Sequence, residues 1–87
     1  RFSKDIPPYI IAGREPIAYS GINIIGLRRR GFSNELIESI HNTYRIIYNS
    51  GKNVSDALQQ IREEITMTPE IEYIVSFIEN SERGIIR

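Results

Sequence analysis

Hydrophobic positions follow two rhythms along the chain, and the rhythm changes across Gly21 to Phe32, GINIIGLRRRGF. Ahead of that stretch the pattern is extended. Asp5-Ile6-Pro7-Pro8 excludes helix, because each proline fixes its own φ and pushes the preceding residue towards extended geometry. Tyr9-Ile10-Ile11-Ala12 is a short β-branched run closed by Gly13, which predicts a strand and a turn. Pro16-Ile17-Ala18-Tyr19 repeats the pattern up to Ser20-Gly21. Ile11 stands six residues before Ile17, the period of a hexapeptide β-helix repeat.

Beyond Gly31 the rhythm is helical. Ser33 is placed as an N-cap with Glu35 in the first turn, and Phe32 and Ile37 hold the two positions of a hydrophobic staple. Leu36, Ile37, Ile40, Tyr44, Ile47 and Tyr48 recur at three and four, giving one apolar face that runs to Ser50-Gly51. Asn53 caps a second helix with Asp56 at its N3 position, and Val54, Ala57, Leu58, Ile61 and Ile65 line its face. Thr68-Pro69-Glu70 opens a third, with proline where its missing N–H costs little, and Ile71, Ile74, Val75 and Ile78 form the stripe. Tyr73 and Phe77, on a neighbouring face, read as packing residues. Together with a short span ahead of them, helices are expected over about 22–30, 34–49, 54–65 and 69–80. Past Gly84, Ile85-Ile86 is expected to dock back on the body. The fold class is mainly α: an extended segment over 1–21, then a helical domain over 22–87.

A chain of 87 residues allows one small domain with a modest core. At this size partner surfaces or missing neighbours are to be expected. Its 40% hydrophobic and 25% charged residues describe an ordinary globular protein and not a disordered one. The absence of cysteine excludes disulfides and thiolate metal sites and is compatible with the cytosol. No apolar run approaches the ~20 residues that cross a bilayer, and no signal peptide is visible. Because it opens on Arg1, the chain is expected to be a piece of a longer one. Standing alone, it would expose an apolar strand edge at Tyr9 to Ala12, an aggregation liability.

Net charge is zero but uneven: residues 1–33 hold six Lys/Arg against two acids, and residues 34–87 hold five against nine. The front of the chain therefore favours an anion. Three adjacent guanidinium groups, Arg28, Arg29 and Arg30, suit a phosphate, since arginine donates in a rigid fork. Residue type alone describes a solvated basic turn first. A general nucleic-acid binder would need a larger basic face, so no nucleic-acid partner is expected. His41 is the single histidine, and no nucleophile or orienting carboxylate is evident beside it apart from Glu38. Glu63 and Glu64 project about a hundred degrees apart on a helix and cannot converge as an acid–base pair. No Ser–His–Asp order, Walker loop or HExxH is present. No residue set here performs a reaction unaided, and neither a metal nor a cofactor is expected.

Three segments carry a family resemblance. DIPPYIIAG, at Asp5 to Gly13, resembles the exit from the left-handed parallel β-helix of hexapeptide-repeat acyltransferases. It is followed by GINIIGLRRRGFS, and the chain closes with SERGIIR at Ser81 to Arg87. Over essentially its whole length the chain is similar to the C-terminal part of the UDP-N-acetylglucosamine O-acyltransferases. DIPPY is shared by many transferases, whereas the NIxGLxRRGFS pattern is specific to this family.

The resemblance implies that residues 1–21 are the last turn of a left-handed β-helix, followed by a small C-terminal helical domain. It implies an enzyme of lipid A biosynthesis, a cytoplasmic homotrimer with active sites between adjacent β-helices. The enzyme transfers an (R)-3-hydroxyacyl group from acyl carrier protein to the 3-hydroxyl of UDP-N-acetylglucosamine, the first step of that pathway. The family's general base is a histidine upstream of this segment, and His41 does not match it. The family's nucleotide-binding pattern falls on Asn23, for the nucleotide end, and on Arg29 and Arg30, for the diphosphate. Ile25 departs from the pattern, since the family often carries a nucleotide-contacting glutamate there. Arg28, His41, Arg45 and Lys52 are candidates for a basic rim that steers the acidic carrier protein. The rival reading is a non-catalytic helical interaction or oligomerisation module.

Overall fold

The computed structural model describes residues 4–14, 17–81 and 84–86. Pro16 and the two arginines of the closing RGIIR, Arg83 and Arg87, lie outside them. Two strands, β1 (Ile10–Arg14) and β2 (Ile17–Ile22), precede four helices: α1 (Ile24–Arg29), α2 (Asn34–Asn49), α3 (Val54–Glu64) and α4 (Pro69–Glu79).

The strand region differs from its sequence reading. β1 continues through Gly13 and pairs antiparallel with β2, with Arg14 opposite Ile17, Ala12 opposite Tyr19 and Ile10 opposite Ile22 across an irregularity in register. Only two residues separate the strands, and a link that short joins antiparallel partners; parallel neighbours need a dozen residues or more. The six-residue spacing of Ile11 and Ile17 therefore belongs to the two arms of a hairpin. No β-helix coil is present among the described residues.

Side-chain caps fix the starts of the three longer helices. The Leu36 N–H donates to Ser33 Oγ at 3.0 Å, the Asp56 N–H to Asn53 Oδ1 at 2.8 Å, and the Ile71 N–H to Thr68 Oγ1 at 3.2 Å. Each bond satisfies one of the backbone donors that a helix start leaves free. The central element is α2, packed against α1, α3, α4 and β2. Its apolar face buries Ile37, Ile40, Tyr44 and Ile47, and burial extends to Thr43 and Ile46 because neighbours cover α2 on more than one side. Ala57, Leu58 and Ile61 of α3 and Ile71, Ile74, Val75 and Ile78 of α4 complete the core. Phe77 packs partly buried against it, whereas Tyr73 stays 54% exposed.

Both ends of the described chain are tied to this core. The Asp5 N–H donates to the Gly84 carbonyl at 2.8 Å, and the Ile86 N–H donates to the Asp5 carbonyl at 2.9 Å. Ser81 Oγ donates to Asp5 Oδ2 at 2.6 Å, and the Tyr48 hydroxyl donates to the Ile86 carbonyl at 2.7 Å. Ile85 and Ile86 are buried, so the terminal apolar pair does dock back. The hairpin is held by aromatic stacking: the Tyr19 ring of β2 lies 4.2 Å from that of Tyr48, nearly parallel to it, and 6.0 Å from that of Tyr44. The Tyr44 hydroxyl donates to the Pro8 carbonyl at 2.6 Å.

Tyr9, next in the chain, has φ +70° and is the one non-glycine residue with positive φ among those described. For an aromatic residue this conformation costs about 1–3 kcal/mol and persists only where the surroundings over-determine it. Hydrogen bonds hold the peptides on both sides. Tyr44 holds the Pro8 carbonyl, and the Asn23 N–H donates to the Tyr9 carbonyl at 2.9 Å.

Candidate functional site

The turn from β2 into α1 sets the first candidate residue. Ile22 is buried and anchors the strand end, and Asn23 then serves as N-cap, its Oδ1 accepting from the Gly26 N–H at 3.2 Å. With that oxygen engaged, the amide's Nδ2 keeps its two hydrogens without an acceptor among the described residues. Gly26 makes this pose available. A Cβ at position 26 would lie 2.5 Å from Asn23 Nδ2 and 2.9 Å from its Cγ. A glycine at N3 of a capped helix, where alanine forms helix better, is the one sequence signal of this role, and pattern reading passed over it.

The other end of α1 closes in a Schellman motif. The Phe32 N–H donates to the Leu27 carbonyl at 3.1 Å and the Gly31 N–H to the Arg28 carbonyl at 3.0 Å. Gly31 occupies the left-handed position, φ +86°, that such a stop requires. This motif places Arg28 and Arg29 in the last turn and Arg30 at the C-cap, all three exposed. Cations at a helix C-terminus suit the macrodipole, which accounts for part of the cluster. It does not account for the missing counter-charge: among the described residues no carboxylate pairs with any of the three. Elsewhere Arg62 of α3 pairs with Glu79 and Glu72 of α4, at 2.8 and 3.8 Å.

Arg30 is held by aromatic rings. Its guanidinium carbon lies 4.9 Å from the Phe32 ring centre and 5.7 Å from that of Tyr9. The two rings meet edge to face at 5.8 Å, and Tyr73 meets Tyr9 edge-on at 6.1 Å. Burial raises the pKa of the Tyr9 hydroxyl, against a smaller lowering from the Arg30 charge. Seven residues make nearly two helical turns, so Asn23 and Arg30 share one side of α1, about 10 Å apart along the axis, with Arg29 about a hundred degrees round. An amide donor at one end and forked cations at the other suit an elongated anion with a hydrogen-bonding head. Beside Asn23, the side chain of Ile25 is 68% exposed.

The four rim candidates are not drawn into one cluster. Arg28 lies in the last turn of α1, whereas His41 and Arg45 stand a turn apart on the exposed side of α2. Arg45 donates to Asn42 Oδ1 at 3.3 Å and lines a groove of about 360 Å³ with Asn49, Gln60 and Glu64. Lys52 lines an adjoining groove in which Asp56, Glu63 and Glu64 outnumber it.

Fold and surface together define a small helical domain, closed on a hairpin, with one arginine edge that meets no acidic partner among the described residues. Comparison with known proteins gives that class its family. The family described as UDP-N-acetylglucosamine O-acyltransferase, domain 2, matches residues 5–86. The acyl-[acyl-carrier-protein]–UDP-N-acetylglucosamine O-acyltransferase of Fusobacterium nucleatum is 39% identical over 85 residues, 98% of this chain and 33% of that protein. Its counterpart in Chlorobaculum parvum is 40% identical over 85 residues, 97% of this chain and 32% of that protein. Among solved structures, the UDP-N-acetylglucosamine acyltransferase of Bacteroides fragilis superposes with a TM-score of 0.96 at 80% identity, covering all of this chain and 34% of that one. The chain belongs to the UDP-N-acetylglucosamine O-acyltransferase family. It spans about a third of the length of the curated relatives it matches.

Proposed function

We propose that the chain is the C-terminal, substrate-binding and carrier-docking part of an acyltransferase. That enzyme moves an (R)-3-hydroxyacyl group from acyl carrier protein to the 3-hydroxyl of UDP-N-acetylglucosamine, the first step of lipid A biosynthesis. In this reading the hairpin and the residues before it, 1–21, stand at the last turn of a left-handed parallel β-helix, and residues 22–87 form the helical domain beyond it. The enzyme is a cytoplasmic homotrimer whose general base, a histidine, lies on the β-helix and outside this chain. The helical domain contributes binding: Asn23 donates its free amide to the nucleotide end, and Arg29 and Arg30 neutralise the diphosphate. Arg28, His41, Arg45 and Lys52 contribute to the approach of the acidic carrier.

Family membership over residues 5–86 supports the reaction. One observation supports the assignment of residues: arginines with no acidic partner among the described residues stand at the far end of α1 from an N-cap amide whose oxygen is engaged and whose nitrogen meets no acceptor among those residues. The test is acyl transfer by the full-length protein from 3-hydroxyacyl carrier protein to UDP-N-acetylglucosamine, wild type against Arg30→Ala. The wild type is active, and the variant loses roughly ten- to a hundredfold in kcat/KM, the worth of one charged hydrogen bond. Equal activity in both would reduce the arginines to a solvated turn. No activity in either would leave the interaction module.

A further inference from the structure

We infer that Tyr9 is a positioning residue for both ends of the nucleotide clamp, through a left-handed backbone that aims its carbonyl at Asn23 and its ring at Arg30. The inference rests on the reading that Asn23 and Arg30 bind the UDP-sugar. Three independent features meet at this one residue. Its φ of +70° is one that aromatic side chains rarely adopt. Its carbonyl accepts the N–H of Asn23 at 2.9 Å, which sets the cap residue from which α1 starts. Its ring lies 5.7 Å from the Arg30 guanidinium and edge-on to Phe32, the second ring under that arginine.

The strained backbone is what lets one residue serve both ends. A tyrosine in ordinary extended geometry would continue the direction of β1, and carbonyl and ring could not both face α1. Strain of this kind survives only when neighbours enforce it, and here Tyr44 and Asn23 hold the flanking carbonyls. The ring takes rotamer freedom from Arg30 before ligand arrives, which lowers the ordering cost of binding. Tyr73, edge-on at 6.1 Å, backs the Tyr9 ring from α4.

Glycine at position 9 accepts a φ of 70° without strain, so Tyr9→Gly removes the ring and keeps the backbone path. In the full-length protein this variant is expected to raise KM for UDP-N-acetylglucosamine about two- to fivefold, the size of a cation–π contact at an exposed side chain. KM for the acyl carrier protein stays unchanged, and Tyr9→Phe, which restores the ring, behaves as wild type. In an Arg30→Ala background the Tyr9→Gly effect disappears, because the ring then has no cation to hold. Tyr9→Asn, which also tolerates the left-handed region, is read in the same way should the glycine variant prove insoluble. Both KM values rising together, or an undiminished effect in the Arg30→Ala background, would overturn the inference and make Tyr9 a packing residue. An Arg30→Ala variant that itself leaves KM for the UDP-sugar unchanged would instead remove the clamp, and the role of Tyr9 with it.

Discussion

Gly26 shows how a single hydrogen decides what a neighbour can do. Alanine is the stronger helix former by about 1 kcal/mol, so Gly26→Ala would ordinarily stabilise α1. Here the new methyl group would stand 2.5 Å from Asn23 Nδ2, and the short asparagine side chain must rotate away. The expected outcome is a melting temperature that is unchanged or higher, with KM for UDP-N-acetylglucosamine raised about two- to tenfold, the worth of one neutral hydrogen bond. Thermal melts and initial rates on the same preparation separate the two effects. An unchanged KM would release Asn23 from nucleotide contact. The family resemblance pointed to Asn23, Arg29 and Arg30, and a resemblance can do so because an amide and a run of cations are visible as letters. Gly26 and Tyr9 were not visible in that way, because clearance around a missing Cβ and the sign of φ at a tyrosine exist only in three dimensions.

The three long helices were open to reading because each carries its own instructions. Ser33, Asn53 and Thr68 accept the N–H bonds that start them, and the apolar residues recur at the helical period. The hairpin was not, since an alternating apolar run states which face is buried and not which strand lies alongside. What binds the hairpin to α2 is aromatic. Tyr19 stacks on Tyr48 and Tyr44, and Tyr44 donates to the Pro8 carbonyl. Burial raises the pKa values of Tyr44, Tyr19 and Tyr9 above the usual value for tyrosine. The unfolded chain loses those protons near pH 10 while the folded protein retains them, so the stabilisation is complete below about pH 10 and is lost as pH climbs through the higher folded values. Chemical denaturation at rising pH should show stability falling above about pH 10. Tyr44→Phe should lower stability at neutral pH by about 1–2 kcal/mol and make the alkaline fall shallower. An alkaline fall as steep in Tyr44→Phe as in wild type would place its cause elsewhere.

Charge is separated across the molecule as it is along the sequence. Among the described residues the arginine edge of α1 has no acidic partner, whereas the α2–α3 grooves set Glu64 beside Arg45 and Asp56, Glu63 and Glu64 around Lys52. An acidic carrier steered by this surface should therefore sense Arg45 more than Lys52, whose field is largely cancelled by its neighbours. In the full-length protein, Arg45→Glu is expected to raise KM for the acyl carrier protein several-fold at low salt, and Lys52→Glu less, with both effects shrinking as salt is added. KM for the UDP-sugar should hold. No change in either variant would remove carrier docking from this domain.

If Arg29 and Arg30 bind the diphosphate as proposed, the full-length protein must distinguish UDP from uridine by affinity. Wild type should bind UDP at least tenfold more tightly than uridine, the two ligands differing only in the phosphates that charge-assisted bonds would hold. Replacing both arginines by glutamine should erase that preference while leaving uridine binding as it was. A UDP preference that survives the double substitution would contradict the account and place the phosphate contacts on other residues.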